Sequence, residues 1–382
     1  MGEHAEIVSA VASFGDLATV PGQMERVLHL LDEDSDYQTR TAVARLVTEP
    51  GAASLTIGRG GDFNSIALAL LYLRNRAKPF EMIHAWGETA LTAAAFVGGK
   101  PIIFSPTRYP KLTDRRWICA ISTAREMQII CPTDTIRRSL VENGLPIDRC
   151  HLIRPGVPST KFSRRPDQAL RAKLGLAPDD YVMLACGESL QGANHHATIL
   201  AATVLNVWDN KNKLLLWGRG SKTAFERRFA SLMLLKKHII FATDRLGQDA
   251  QFDQIIPASD CALLTADEPI PTLPIAVCMA AGLPIVGTVS RTACELLEDR
   301  HNCLMAFKCT SRWIARRVRD LREDPHLVWQ ITDTARTEAY EFFSMSRFVE
   351  QTKSVYTQLA AGKKVEIPQP SPGAGLKFMG RA

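Results

Sequence analysis

A stretch in the second half of the chain joins acidic side chains to the start of an apolar helical pattern. A short apolar run is followed by Asp267 and Glu268, and a proline-interrupted loop then leads to a helix that begins at Leu273. The N–H groups and positive dipole end of a helix amino terminus suit a phosphate. A carboxylate beside them can accept hydrogen bonds from sugar hydroxyls. We therefore expect Glu268, Thr272 and Leu273 to bind a ligand, with an ordinary βαβ unit and a solvated acidic loop as the alternative.

Two further glycine-containing segments follow apolar runs. Gly187–Gly192 is similar to the hydrolase elbow G-x-S-x-G, but Gln191 stands where the tight turn needs glycine, so we interpret Ser189 as a turn serine. Gly218–Thr223 lacks the glycine that a phosphate loop needs directly before its lysine. As a dinucleotide loop it has threonine at the third glycine position, with Asp244 after the next strand. Both segments are glycine turns at the end of a strand, where α/β proteins bind ligands.

Adjacent histidines at 195 and 196 raise the question of a metal site. No cysteine or carboxylate nearby completes a zinc-ligand spacing. We therefore interpret His195 and His196 as helix-cap or surface groups and predict no metal.

The elements that must position these residues alternate between strand and helix, which is typical of α/β proteins with parallel sheets. The candidate strands are Glu6–Ser13, Thr41–Val47, Ala53–Gly58, Glu81–Trp86, Pro101–Ser105, Met127–Cys131, His151–Arg154, Tyr181–Cys186, Lys213–Trp217, His238–Ala242, Cys261–Thr265, Pro284–Gly287 and Cys303–Ala306. The candidate helices are Met24–Leu31, Ser65–Arg76, Ala90–Val97, His196–Trp208, Ala224–Leu235, Leu273–Ala281, Ala293–Glu298, Ser311–Arg322 and Val328–Phe343.

Two prolines flanking a glycine at 155–158 interrupt this pattern and predict a linker at about 157–168. We expect one domain over residues 1–160, a second over 161–340 and a last helix over 341–361. Residues 362–382 are polar and rich in proline and glycine, which predicts a flexible tail.

The composition is that of an ordinary globular protein. Of 382 residues, 46% are hydrophobic and 23% are charged, which excludes disordered, collagen-like and coiled-coil classes. The net charge of +6 is spread over scattered basic doublets, so we expect no nucleic-acid partner. Nine cysteines without a C-x-x-C pair predict reduced thiols. The lack of a signal-peptide pattern or a long apolar run predicts a cytoplasmic protein without a transmembrane segment.

In several sequence segments, the chain resembles the retaining, nucleotide-sugar-dependent glycosyltransferases of group 1. That family has the GT-B fold, in which two Rossmann-like α/β domains flank a cleft. The similar segments in the second half are Lys173–Leu176, Leu214–Gly220, Ala258–Asp260, Ala280–Pro284, Glu295 and His301–Leu304. Those in the first half are Glu81–Trp86 and Leu152–Gly156. A further similar segment, Phe342–Ser344, precedes a helix that returns to the first domain.

The resemblance implies a donor nucleotide sugar in the cleft, held mainly by the second domain. Glu268 matches the glutamate that contacts the donor sugar, and Gly218 matches the turn that lets the backbone approach the ligand. The implied site residues are Glu268 as catalytic residue, Gly187, Gly218, Arg219, Thr272 and Leu273 on the donor side, and His84 and Gly22 on the acceptor side.

At three positions where the family has a charged residue, this chain has an uncharged residue or one of opposite charge. Glu188 and Ala193 stand where the family has an arginine and a lysine for the donor diphosphate. Val277 stands where it has the second of two glutamates, which binds the ribose. We expect Arg219 or Lys222 to supply the missing positive charge.

Three functions follow as predictions. The first is transfer of a sugar from a nucleoside-diphosphate sugar, such as a UDP- or GDP-sugar, to a glycan, lipid or small-molecule acceptor, with no metal or other cofactor. The second, motivated by the three replacements, is an inactive GT-B protein with a binding or regulatory role. The third is a nicotinamide-dependent enzyme that uses Gly218–Thr223. The donor base, the acceptor and the oligomeric state stay open.

Overall fold

Each half of the chain forms one parallel six-stranded sheet with helices packed against it. The computed structural model describes residues 26–49, 51–57, 63–158, 167–233, 237–267 and 270–367, and for 63–69 and 292 only the backbone. The described residues divide into two units, with 26–156 and 345–367 in the first and 157–344 in the second.

The first unit places its sheet between two layers of helices. The strands are Val27–Asp32 (β1), Ala52–Ile57 (β2), Met82–Trp86 (β3), Ile102–Ser105 (β4), Met127–Cys131 (β5) and Cys150–Leu152 (β6). The helices between them are Tyr37–Leu46 (α1), Phe63–Ala77 (α2), Glu88–Val97 (α3), Leu112–Ala124 (α4) and Asp134–Glu142 (α5). All neighbours pair in parallel, in the order β2-β1-β3-β4-β5-β6. The inner strands of such a sheet are buried on both faces and are therefore apolar almost throughout, whereas the residues of the edge strand β2 are half-buried or exposed.

The second unit repeats this architecture. Its strands are Tyr181–Ala185 (β7), Asn212–Leu216 (β8), Ile239–Phe241 (β9), Cys261–Leu264 (β10), Ile285–Thr288 (β11) and Leu304–Ala306 (β12). Its helices are Gln168–Leu174 (α6), His195–Trp208 (α7), Thr223–Leu232 (α8), Thr243–Leu246 (α9), Phe252–Ile255 (α10), Leu273–Ala281 (α11), Arg291–Leu296 (α12), Ser311–Glu323 (α13) and Pro325–Phe342 (α14). The strand order is β12-β11-β10-β7-β8-β9, and all pairs are parallel.

The last helix, Met345–Ala360 (α15), packs on the first unit. Its buried residues Phe348, Val355 and Tyr356 join the apolar cluster on the α1 side of that sheet. The chain then continues along the same cluster, where Val365 is buried. The expected tail boundary at residue 362 therefore falls before this packed segment, and residues 368–382 lie outside the described part of the chain.

The sequence-based assignment is wrong between residues 24 and 47, where strand and helix are exchanged. The described part of the expected helix Met24–Leu31 forms strand β1 from Val27 onward, where every residue to Asp32 is buried and the mostly apolar run fits either period. The expected strand Thr41–Val47 is helix α1. Its amino terminus is capped by Asp36, whose carboxylate accepts the Thr39 N–H at 2.7 Å. The candidate strand Glu6–Ser13 lies outside the described residues.

All nine cysteines are free thiols, and six of them are buried. Over the described ranges, no helix combines the length and the apolar character that crossing a membrane requires. The same ranges contain no group of three or more His, Cys, Asp or Glu side chains arranged to hold a metal ion.

Candidate functional site

Three loops leave the same edge of the second sheet. Strands β10, β7 and β8 are consecutive neighbours, and they are parallel, so the segments after them emerge together. The strand order also reverses here, because the chain runs from β7 outward to β9 and then returns to β10 on the other side of β7. In open α/β sheets ligands bind in the crevice at such a switch point.

The loops after β7 and β8 are joined through their backbones. The Ser189 N–H donates to the Arg219 carbonyl at 2.7 Å, and the Lys222 N–H donates to the Ser189 carbonyl at 2.8 Å. Gly220 makes this approach possible. It has a φ of +120°, and a Cβ there would lie 2.5 Å from the Ser189 carbonyl oxygen. Arg219 and Lys222 are therefore held beside the loop that follows β7.

A buried carboxylate stabilises this contact between the loops after β7 and β8. Glu226, in the first turn of α8, accepts a hydrogen bond of 2.5 Å from the Ser189 hydroxyl. Its other oxygen lies 3.3 Å from Nδ1 of His195, and Nε2 of His195 lies 3.3 Å from the Cys186 carbonyl. All three side chains are buried. Sequence reasoning missed Glu226, because a glutamate in the first turn of a helix is ordinarily a solvated charge.

The predicted donor-side residues after β7 and β10 lie together. Gly187 has a φ of +88°, and a Cβ there would lie 3.3 Å from the ring of Pro274 in the first turn of α11. The side chains of Thr272 and Leu273, which begin that helix, are buried. Because these two side chains are buried, a phosphate at this helix amino terminus would be bound by backbone N–H groups.

Glu268, the expected catalytic residue, lies outside the described residues. The segment just before it is fixed to the loop after β7. The Thr265 hydroxyl lies within hydrogen-bonding distance of the carbonyls of Ala193 and Asn194, at 3.2 and 3.1 Å. The Asp267 N–H donates to the Gly192 carbonyl at 3.1 Å.

The remaining predicted residues of the β8 loop have defined packing. Gly218 is required by close contact, since a Cβ there would lie 2.5 Å from the Thr243 hydroxyl oxygen. The guanidinium of Arg219 lies 5.9 Å from the centre of the Trp217 ring. Asp244, expected to bind a ribose if this loop held a dinucleotide, forms a two-point ion pair with Arg227 at 2.6 Å.

His84, the expected acceptor-side residue, lies inside the first unit. Its side chain is fully buried, with Nδ1 2.6 Å from the Tyr356 hydroxyl and Nε2 2.8 Å from the Ser105 hydroxyl. Burial, and then the nearby His29, hold the pKa of His84 well below its usual range. In this arrangement His84 links β3 to β4 and α15. Gly22 lies outside the described residues.

Polar groups at the carboxyl edge of the first sheet surround the start of α3. The Asp32 carboxylate accepts the Ala90 N–H at 2.7 Å. Glu88 forms an ion pair with Arg108 at 3.0 Å, and Arg108 also reaches Asp114 at 3.2 Å. Burial raises the pKa of Glu88 in spite of the arginine. None of these residues was singled out from the sequence.

The fold and the edge loops together define an α/β protein with the GT-B architecture. Residues 166–338, nearly all of the second unit, match the family Glycosyl transferases group 1. A search of curated protein sequences finds no match.

Solved structures cover most of the chain. HepE from Anabaena, in complex with UDP and glucose, has a TM-score of 0.74 and 16% identity over 87% of this chain and 100% of its own. Sucrose-phosphate synthase from Thermosynechococcus elongatus has a TM-score of 0.71 and 13% identity over 89% and 100%. A glycosyltransferase from Rickettsia africae has a TM-score of 0.69 and 11% identity over 89% and 99%. At these identities the similarity establishes the fold.

Proposed function

We propose that the protein is a glycosyltransferase that moves a sugar from a nucleoside-diphosphate sugar to an acceptor with retention of configuration. The observation that carries this proposal is the convergence of the loops after β7, β8 and β10 at the switch point of a sheet whose sequence matches group 1 glycosyltransferases. The solved structures of HepE, which hold UDP, UDP-glucose, or UDP and glucose, support a donor of the same class.

The proposed donor site uses backbone amides and nearby cations to hold the diphosphate. The first turn of α11, which begins at Leu273, presents the positive end of the helix dipole. Gly187 and Gly218 let the loops after β7 and β8 pack closely against Pro274 and Thr243, which fixes the edge at which the diphosphate is proposed to bind. Arg219 and Lys222 supply positive charge from the β8 loop. Each cation about 4 Å from a phosphate charge contributes up to about 4 kcal/mol at an effective dielectric near 20.

Catalysis in this proposal rests on positioning the donor and stabilising the leaving diphosphate. As the glycosidic bond breaks, negative charge grows on the departing phosphate oxygen, and the helix amides and cations stabilise it. Glu268 is proposed to hold the hydroxyls of the transferred sugar. The acceptor hydroxyl loses its proton as it bonds to the anomeric carbon, and the departing phosphate is the base that the donor itself supplies.

A binding panel tests the donor site. The protein is heated with UDP, GDP, ADP and their common sugar conjugates, and calorimetry then gives the dissociation constants. A ligand at about 100 times its dissociation constant stabilises the folded state by about 2.7 kcal/mol. Glu268→Ala should lower affinity for the sugar conjugate more than for the bare nucleotide, and Arg219→Ala or Lys222→Ala should lower both. Glu142→Ala, at an exposed position in α5 of the first unit, is the matched control.

Transfer itself is measured with the donor that binds, by following donor hydrolysis and product formation on glycan, lipid and small-molecule acceptors. Turnover that disappears in Glu268→Ala would support the proposal. Absence of both binding and turnover across the panel would refute it.

A binding protein without catalysis is the second candidate, and the environment of Glu188 favours it. This carboxylate is only 7% exposed and directly follows Gly187, where repulsion would oppose a diphosphate. That candidate predicts nucleotide binding without transfer or donor hydrolysis, or no nucleotide binding at all. Turnover abolished by Glu268→Ala would exclude it.

A further inference from the structure

Three helices lie side by side over one face of the second sheet, and their solvent-facing surface carries both large apolar side chains and arginines. Helix α7 packs between α8 and α13, and the inner sides of all three contribute to one buried apolar cluster over the sheet. We call the solvent-facing side of these helices the α8–α7–α13 face.

Large apolar side chains are exposed along α7 and α8. The exposed fraction is 88% for Val207 and 66% for Leu232, and Phe225, Trp208 and Val204 are also exposed. The ring of His196 packs edge-on against Phe225 and Phe229, which joins the surface of α7 to that of α8 near their amino-terminal ends. Single exposed apolar residues are common on soluble proteins, but a contiguous set marks an interaction surface.

The neighbouring helix α13 adds a row of arginines. Arg312, Arg316 and Arg319 are exposed at i, i+4 and i+7, so they lie along one side of the helix. The guanidinium of Arg319 lies 5.0 Å from the ring centre of Trp208 on α7, which joins the cationic row to the apolar surface. The three helices together carry seven arginines, and four of these form ion pairs with carboxylates of the same unit (Arg227, Arg317, Arg319 and Arg322). The cationic character of the face therefore rests mainly on the exposed residues Arg228, Arg312 and Arg316.

We propose that the α8–α7–α13 face binds the surface of an anionic phospholipid membrane. The arginines would meet the lipid phosphates, while the aliphatic side chains of Val204, Val207 and Leu232 enter the boundary between headgroups and acyl chains. Tryptophan favours this boundary, because its ring is apolar and its N–H is polar. The most exposed apolar side chains of this face, those of Val207 and Leu232, are aliphatic and cannot stack on bases, so a nucleic acid fits the face less well than a membrane.

This proposal is independent of sugar transfer and concerns only where the protein resides. Sedimentation of the full chain with vesicles tests it. We compare neutral phosphatidylcholine vesicles with vesicles that contain phosphatidylglycerol, at about 0.1 M and about 1 M salt. Binding should require the anionic lipid and weaken at high salt, where the screening length falls from about 10 to about 3 Å.

Two double variants separate the charge from the apolar contribution. Arg312→Gln with Arg316→Gln should lower the partition coefficient about 30-fold, since each arginine near an anionic surface contributes about fivefold. Val207→Ser with Leu232→Ser should also lower it while leaving the salt dependence in place. Arg74→Gln with Arg116→Gln, which removes two exposed arginines from the first unit, is the matched control. Thermal unfolding of each variant checks that the fold is intact.

Three results would overturn the proposal. The first is equal binding, or none, to neutral and anionic vesicles. The second is a loss of binding in the Arg74 and Arg116 control as large as that in the α13 variant. The third is tighter binding to a single-stranded RNA than to anionic vesicles, weakened by the same α13 substitutions.

Discussion

Substitution of Gly220 by alanine tests whether the junction of the β7 and β8 loops holds the donor site. A Cβ at this position would lie 2.5 Å from the Ser189 carbonyl oxygen and 2.8 Å from its carbon, and neither is a flexible side-chain atom. The backbone at φ +120° is also strained for any residue with a Cβ, which costs about 1–3 kcal/mol. Displacing the Ser189 backbone adds a similar amount. We expect Gly220→Ala to lower the free energy of unfolding of the second unit by about 2–6 kcal/mol.

The same substitution should weaken nucleotide binding, because the Ser189–Arg219 and Lys222–Ser189 hydrogen bonds cannot both survive the displacement. We expect a loss of at least about tenfold, or about 1.4 kcal/mol, in calorimetry with the nucleoside diphosphate that binds best. Gly144→Ala is the matched control. Gly144 has a comparable φ of +98°, but a Cβ there meets nothing within 4 Å. In Gly144→Ala the free energy of unfolding should fall only by the cost of backbone strain, and the nucleotide affinity should be unchanged.

Urea unfolding and calorimetry on both variants decide the question. The reasoning is refuted if Gly220→Ala is no less stable than Gly144→Ala, because the close approach to Ser189 would then contribute nothing. It is also refuted if Gly220→Ala loses stability but binds nucleotide as the unaltered protein does, because the junction would then be structural only.

Two further predictions concern buried ionisable groups. Burial lowers the pKa of His29 to about 3 from 6.5, so the folded state binds fewer protons than the unfolded state and stability is lost as the pH falls below about 6.5. Between about pH 7.5 and 4.5 this loss in the free energy of unfolding amounts to about 2.7 kcal/mol. In urea unfolding over that pH range, His29→Gln should not show this loss. If the free energies of unfolding of His29→Gln and the unaltered protein differ by the same amount at every pH, the prediction is wrong. Glu226→Ala should cost about 1–3 kcal/mol by leaving the Ser189 hydroxyl unpaired and should weaken nucleotide binding, whereas Glu226→Gln keeps an acceptor and should retain most of both. Equal losses in the two Glu226 variants would show that the hydrogen bond to Ser189 is not what matters.

The alternation of strands and helices is predictable because parallel strands buried on both faces give short apolar runs. Strand β5 is predicted to the residue, and most other strands within one or two. The failure at residues 24–47 has a physical cause. Val27–Leu31 is apolar except at His29 and fits the period of a strand or of a helix, while the segment 41–47 is a short, mostly apolar run with two valines, which is also typical of a strand.

The parts of the candidate site that the sequence predicts are those where the backbone conformation or close packing requires glycine. Gly187 and Gly218 occupy positive-φ positions with close neighbours, and a glycine between a strand and a helix is a local signal. The Ser189–Glu226 and Glu226–His195 contacts have no such signal. Ser189 and Glu226 are 37 residues apart, and only the pairing of β7 with β8 brings their segments together.

The three replaced charges of the family pattern occupy buried positions, and this constrains how a donor can be held. Val277 is fully buried in the middle of α11, a helix with all nine residues buried, and Ala193 is 3% exposed. A lone carboxylate or ammonium group at either position would lose its hydration without an evident partner, so these side chains suit the packing around them. A ribose bound at this edge must therefore find its hydrogen bonds on the backbone or on other side chains. The nucleotide affinities of the Glu268, Arg219 and Lys222 variants therefore decide between the two proposed functions. If binding depends on these residues, the charges that hold the donor lie in the loops after β8 and β10. If it does not, this edge of the sheet is not a donor site of the proposed kind.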